Sequence, residues 1–223
     1  MLDRAGTADW MIRAARQRPR GRRPLYLTSA NGEVLARAAS DPELATLIGD
    51  ADQIVADGQP LVMASRYRCH TALPERVATT DLFHDVARRA EREGVSFYML
   101  GATPEENDRA VASVRRAYPA LNLVGHCHGF LKGEALDAKL AEIDALAPDI
   151  LSRHADRLTS VGMIKTSGGL FNFLSGTNRR APEWMQRASL EWLYRIWLEP
   201  RRLFWRYAVT NPKAIYLMAT RSA

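Results

Sequence analysis

The sequence predicts an α/β fold: a Rossmann-like, mostly parallel sheet with helices on both faces, followed by a C-terminal helical appendage. Three observations lead there. Short apolar runs alternate with amphipathic helical stretches from Leu25 onward, the rhythm of strand–helix–strand units. Helix start and stop residues punctuate that rhythm where capping chemistry requires them. After Gly176 the pattern changes to a basic, Trp-rich stretch with helical periodicity.

Residues 1–23 carry seven Arg against two Asp and read as a basic flexible lead-in. A short helix over Trp10 to Arg16 is broken by Arg18-Pro19-Arg20-Gly21. Leu25 to Thr28 is a strand. Asp41-Pro42-Glu43 opens a helix, with Asp as N-cap and Pro in the first turn. Gln53 to Ala56 is a second strand, ending at Asp57-Gly58. Thr80 caps a helix that runs to about Glu93, where Gly94 stops it. Val95 to Leu100 is a third strand. Thr103 and Glu106 then have capping-box spacing around Pro104, starting a helix through Ala117. Leu121 to Gly125 is a fourth strand, Glu134 to Leu146 a helix, and Val161 to Ile164 a last strand running into Thr166-Ser167-Gly168-Gly169.

One place breaks the rhythm. Ala147 to Leu151 starts as a strand but passes directly into a helical pattern over Ser152 to Leu158. Against ordinary strand and loop lengths, roughly a dozen residues are missing between Leu151 and Ser152. Farther on, Pro182-Glu183 opens a helix through about Leu198, Glu199-Pro200 interrupts it, and a second helix reaches about Thr210. Asn211-Pro212 interrupts again before a short terminal helix. The chain therefore divides into a lead-in (1–23), an α/β domain (24–178) and an appendage (179–223).

Composition excludes several classes. Apolar residues make up 47% and charged residues 25%, enough to bury a core. No run of about 18 apolar residues can span a membrane, and the Arg-rich start lacks the apolar segment of a secretory signal. Cys69 and Cys127 read as reduced thiols of a cytosolic protein. The formal charge is +6, with fifteen basic against twenty acidic groups in 24–178 and nine against three in 179–223, where four of the five Trp also lie.

In parallel α/β sheets the ligand crevice lies beyond the carboxyl ends of the strands. That directs attention to the loops after Leu27, Ala56, Leu100 and Ile164. Asp57, at such an end, suits a general base for a hydroxyl nucleophile; the alternative is a turn Asp with Gly58 supplying positive φ. Thr28-Ser29-Ala30-Asn31-Gly32 offers hydroxyls and an amide to sugar or nucleobase groups, or is a polar turn. Thr166-Ser167-Gly168-Gly169 can present N–H groups to phosphate, or permit close packing, but fits neither a dinucleotide nor a P-loop spacing. Asp50-Ala51-Asp52 has D-x-D spacing but precedes its strand, so it reads as a solvated helix end. His126-Cys127-His128 has no second ligand pair for zinc. No metal site and no cofactor are expected.

In the appendage, Trp184, Met185, Ala188, Trp192, Ile196 and Trp197 recur at roughly helical spacing, and Phe204, Tyr207 and Ala208 extend the pattern. Arg187, Arg195, Arg202 and Arg206 lie among them. A membrane-surface helix pair, a phosphate-gripping lid and an ordinary packed pair all fit. The close mixing of apolar bulk and charge disfavours nucleic acid.

The ordered motifs Arg179-Arg180-Ala181-Pro182-Glu183-Trp184-Met185-Gln186, Leu190-Glu191-Trp192-Leu193-Tyr194-Arg195 and Glu199-Pro200-Arg201-Arg202-Leu203 closely resemble the WecG/TagA/CpsF family of bacterial glycosyltransferases. Ser29-Ala30-Asn31, Ala56-Asp57-Gly58, Glu75-Arg76-Val77 with Asp81, Leu100-Gly101-Ala102, Tyr118-Pro119 and Gly168 to Gly176 support the match, which covers nearly the whole chain from Leu25. The resemblance implies inverting, metal-independent transfer of a sugar from a UDP-sugar to a polyprenyl-diphosphate-linked acceptor, in exopolysaccharide-type synthesis at the cytoplasmic side of the bacterial membrane.

By the same resemblance Asp57 is the catalytic base. Ser29, Asn31, Arg76, Asp81, Gly168 and Gly169 bind substrate. Arg195, Arg202 and Arg206 reach the diphosphate; by residue type rather than by the resemblance, Trp192, Trp197 and Trp205 are expected to meet the membrane. The oligomeric state is open, a homo-oligomer included. The family carries a segment like V-G-L-G-x-P-x-Q-E where this chain passes from Leu151 to Ser152. Its lack makes a catalytically impaired nucleotide-sugar or lipid-binding relative the alternative reading.

Overall fold

The computed structural model describes residues 1–18, 21–151, 158–167, 169–188 and 190–220. The strands are β1 Leu25–Ala30, β2 Gln53–Ala56, β3 Phe97–Leu100, β4 Leu123–Cys127, β5 Ile150–Leu151 and β6 Met163–Lys165. The helices are α1 Arg4–Gln17, α2 Gly32–Ala38, α3 Pro42–Gly49, α4 Gln59–Arg68, α5 Thr79–Glu93, α6 Pro104–Ala117, α7 Gly133–Leu146, α8 Leu170–Leu174, α9 Glu183–Arg187, α10 Glu191–Leu198 and α11 Pro200–Thr220.

The strands form one sheet in the order β2-β1-β6-β5-β3-β4, and every pairing is parallel. This is the α/β architecture that the strand–helix alternation predicts. Successive strand residues alternate between two cores. Leu27, Phe97, Met99, Ile150 and Met163 face one core, shared with α1, α5, α6 and α8. Tyr26, Tyr98, Leu100, Leu151 and Ile164 face the other, shared with Ile143 of α7. The period-2 pattern of apolar residues on both faces is what a doubly covered parallel sheet requires.

Local signals set most helix ends. The Thr103–Glu106 capping box and Pro104 start α6, and the Asp41 side chain accepts from Leu44 N–H at the start of α3. Gly94 ends α5 in the left-handed region, at φ 69°, where glycine carries no Cβ penalty. The expected Thr80 cap is replaced by Ala78, and α5 begins at Thr79.

Three expectations need correction. The flexible lead-in is instead the helix α1, with Ala8, Met11, Ile12 and Ala15 buried against α5 and the sheet. Those positions fall at i, i+3, i+4 and i+7, an apolar stripe between the arginines. Gly162 permits the approach: a Cβ there would lie 2.5 Å from the Ala15 carbonyl oxygen. The single helix expected from Pro182 to Leu198 is split into α9 and α10. Finally, α11 continues through Pro212, so Asn211-Pro212 does not interrupt it. That ring removes one backbone donor, while packing against α2 and α4 holds the helix together.

Segment 152–157, where the sequence rhythm breaks, lies outside the described residues. No described helix is long and apolar enough to cross a membrane.

Candidate active site

The carboxyl ends of β1, β2 and β6 converge with the N-terminus of α5. Asp57 follows β2 directly, and its backbone N–H donates to the Ala30 carbonyl at 2.8 Å, tying the loop to the end of β1. Its side chain is 24% exposed, enough to meet a ligand. Thr79, the first residue of α5, donates its hydroxyl to Asp57 Oδ2 at 3.1 Å. Arg76 donates Nε to the Asp57 carbonyl at 2.9 Å and brings Nη2 within 3.7 Å of Oδ1.

Ser29 Oγ lies 3.1 Å from Thr79 Oγ1. On its other side Lys165, at the end of β6, donates Nζ to Ser29 Oγ at 3.0 Å and also to the Thr166 carbonyl. Thr28 and Thr166 join hydroxyls at 2.8 Å beneath. Lys165 is only 6% exposed. A cavity lined by Met11, Leu82, Phe83 and Leu170 reaches Thr79 and Lys165 from the core side.

These surroundings perturb two groups in opposite directions. Burial pushes the Asp57 carboxyl above the usual carboxylate range, against the pull of Arg76, Lys165 and Thr79. Burial lowers the Lys165 amine to about 8, with the charge of Asp57 acting the other way. Both shifts follow from the cost of holding charge away from water.

The other predicted residues are distributed around this centre. Asn31 caps α2, accepting from Val34 N–H at 3.0 Å, and a Cβ at Gly58 would lie 3.3 Å from its Cβ. Asn31 therefore borders the Asp57 loop. Asp81 is engaged by both arms of Arg180 and lies 3.7 Å from Arg4. It joins α1 to the start of the appendage.

Arg195 of α10 reaches back to the loop after β6. Its Nη2 would lie 3.8 Å from a Cβ at Gly169, and its guanidinium sits 5.2 Å from the Phe173 ring centroid. Gly168 and the side chains of Arg202 and Arg206 lie outside what the structure describes. Trp192, Trp197 and Trp205 are 39%, 76% and 72% exposed.

Elsewhere, Asp52 of the D-x-D accepts both Arg23 arms at 2.9 Å and the Tyr26 N–H at 2.7 Å, a structural tie between β1 and β2. His126 Nδ1 meets the buried Asn107 at 2.8 Å. Among the described residues no group of three His, Cys, Asp or Glu is placed to hold a metal.

Thr79, Lys165 and Glu191, whose carboxylate lies 2.8 Å from Arg76 Nη2, also border this candidate site, and no motif in the sequence singles them out for it. A Lys at the end of an apolar run ordinarily marks an exit to solvent. The signal that could have found it was its position beside the Thr166-Ser167 loop.

The assembly is thus a carboxylate of raised proton affinity, a buried amine behind it, two guanidinium groups (Arg76 and Arg195) and several hydroxyls at one edge of the sheet. That set can accept a proton from a hydroxyl and accommodate a negatively charged group. The family model for the glycosyl transferase WecG/TagA/CpsF family matches residues 1–223, the whole chain. The chain belongs to that family.

Proposed function

Proceeding from that membership, we propose that this glycosyltransferase moves a sugar from a UDP-sugar to a polyprenyl-diphosphate-linked acceptor with inversion at the anomeric carbon. The product would enter a cell-surface, exopolysaccharide-type polymer. Asp57 takes the proton of the acceptor hydroxyl as its oxygen attacks the anomeric carbon. The bond from that carbon to the donor's diphosphate breaks, and UDP leaves with the electron pair. A single displacement of this kind needs one base on the face opposite the leaving group.

The observation that carries the reading is Asp57 itself: it stands at the strand end where ligands bind, with its carboxyl pushed up by burial. Ser29 and Asn31 border the same loop and suit the hydroxyl-rich substrate. Arg195, beside Gly169, suits the departing diphosphate, with Arg202 and Arg206 as further candidates on the same appendage. Arginine can offset the developing charge by bidentate hydrogen bonds without a metal.

Residues 179–223 serve as a membrane-facing appendage on this reading. Exposed Trp197 and Trp205 suit the interface of the cytoplasmic leaflet, and the basic excess suits its anionic headgroups.

The decisive experiment is sugar transfer by Asp57→Asn, with a panel of UDP-sugars and a polyprenyl-diphosphate acceptor. The expected result is a loss of at least about 100-fold with the folded spectrum retained. Undiminished transfer would remove Asp57 as the base.

A further inference from the structure

We propose that Lys165 is a positioning residue for Asp57, acting through an ordered chain of two hydroxyls, Ser29 and Thr79. The inference rests on the reading of Asp57 as the base. Its geometry is a run of short contacts: Lys165 to Ser29 at 3.0 Å, Ser29 to Thr79 at 3.1 Å and Thr79 to Asp57 at 3.1 Å.

Proton counting fixes the direction of that run. A hydroxyl has one hydrogen to donate, and an ammonium has no lone pair to accept with. Thr79 gives its hydrogen to the Asp57 carboxylate, so its oxygen must accept from Ser29. Ser29 has then spent its own hydrogen, and its oxygen accepts from Lys165. The chain runs one way, from the cation on β6 to the carboxylate after β2. Each bond polarises the next in the same sense.

Two consequences follow. The chain holds the Asp57 carboxylate in one rotamer, leaving Oδ1 facing Arg76. It also carries the influence of a buried cation to a base the amine does not touch. The charged groups bearing on Asp57 are Arg76 from the segment before α5, Lys165 from β6 and, through Arg76, Glu191 from α10. Asp57 is the charged group that acts on Lys165. The amine is lowered to about 8, so it is predominantly an ammonium at neutral pH and loses its charge as the pH rises past that value.

The test is a carbon-13 NMR titration of the Asp57 carboxyl, its resonance identified by disappearance in Asp57→Asn. It is run on the whole protein, on Lys165→Met and on Ser29→Ala. The Asp57 midpoint should rise by about one pH unit, a tenfold change in proton affinity, in Lys165→Met. It should rise by a smaller amount in Ser29→Ala, which keeps the amine but cuts the chain. In a transfer assay Lys165→Met should lower kcat and leave the donor KM unchanged.

An unmoved midpoint in both variants overturns the proposal. A shift in Lys165→Met without any in Ser29→Ala also overturns it, because a bare field would then replace the hydroxyl chain. Should Lys165→Met fail to fold, Ser29→Ala alone decides on the same criterion. If the midpoints move as expected while the protein transfers no sugar, the coupling stands and the catalytic reading of the site fails.

Discussion

Arg76 and Glu191 meet at 2.8 Å, between a guanidinium Nη2 and a carboxylate oxygen. The contact joins the loop that supports Asp57 to the first turn of α10. Both side chains are under one-fifth exposed, at 18% and 17%, so solvent screens the pair only partly. Arg76 thus faces two carboxylates, and Glu191 is the nearer.

Glu191→Gln should release Arg76 toward Asp57. The carboxylate would be favoured, and the acid limb of the pH–rate profile should move to lower pH. Losing one charge of a partly buried pair should cost about 1–2 kcal/mol, read by urea denaturation. An acid limb that stays put or moves upward would show that Glu191 does not compete for Arg76.

The titration of Asp57 bears on stability with a definite sign. Its folded pKa is raised above the ordinary 3.8, so between those two values the folded state binds more protons than the unfolded one. Stability therefore falls as pH rises through that window and stays lower above it. Asp57→Asn mimics the protonated form. It should melt at a higher temperature than the unaltered protein at pH 7, and the gap should close below about pH 4. A lower melting temperature at neutral pH would mean that Asp57 stabilises the fold as a carboxylate. With Asp57 as the proposed base, the acid limb of transfer should lie above the ordinary carboxylate range.

The N-terminal helix should be indispensable to the fold. Met11 is 3% exposed within the main core, and Met11→Ala should cost about 2–4 kcal/mol. Gly162→Ala should cost about 3 kcal/mol. Its new methyl would meet two backbone oxygens, at 2.5 Å from Ala15 and 2.7 Å from Asp149, and neither is a side chain able to swing away. Equilibrium unfolding checks both. Unchanged midpoints would indicate that α1 does not pack in solution as it does here.

Trp197→Ala and Trp205→Ala should each weaken binding to anionic vesicles, by about tenfold if the indole enters the interface. At 76% and 72% exposed, neither contributes much to the core, so melting temperatures should hold. Equal co-sedimentation of the variants and the parent would exclude these two side chains from membrane contact.

Much of this molecule is legible in its residues, and the exceptions have physical causes. Capping is local chemistry, so Asp41, Thr103, Glu106 and Gly94 declare their helix ends without tertiary help. The place of Asp57 at a strand end is legible because the strand-forming run Gln53 to Ala56 stops there. Lys165 is not, because its burial depends on which helices roof β6. Nor is the pairing of Thr79 with Asp57, since the chain between them obeys no spacing rule. The stripe Ala8, Met11, Ile12 and Ala15 is written in the sequence, but the surrounding arginines mask it with the composition of a solvated segment. Pro212 misleads for the opposite reason: a local helix breaker is overridden by packing along α11.

The distribution of indoles gives the protein its own optical reporter. Trp10, on α1, is partly buried against the main core. Trp184, Trp192, Trp197 and Trp205 stand 64%, 39%, 76% and 72% exposed on the appendage. Intrinsic fluorescence therefore comes mostly from the water-exposed indoles between residues 184 and 205. On the proposed membrane role, entry of those indoles into a lipid surface should shift the emission to the blue while Trp10 stays constant, which would time that encounter without any attached dye.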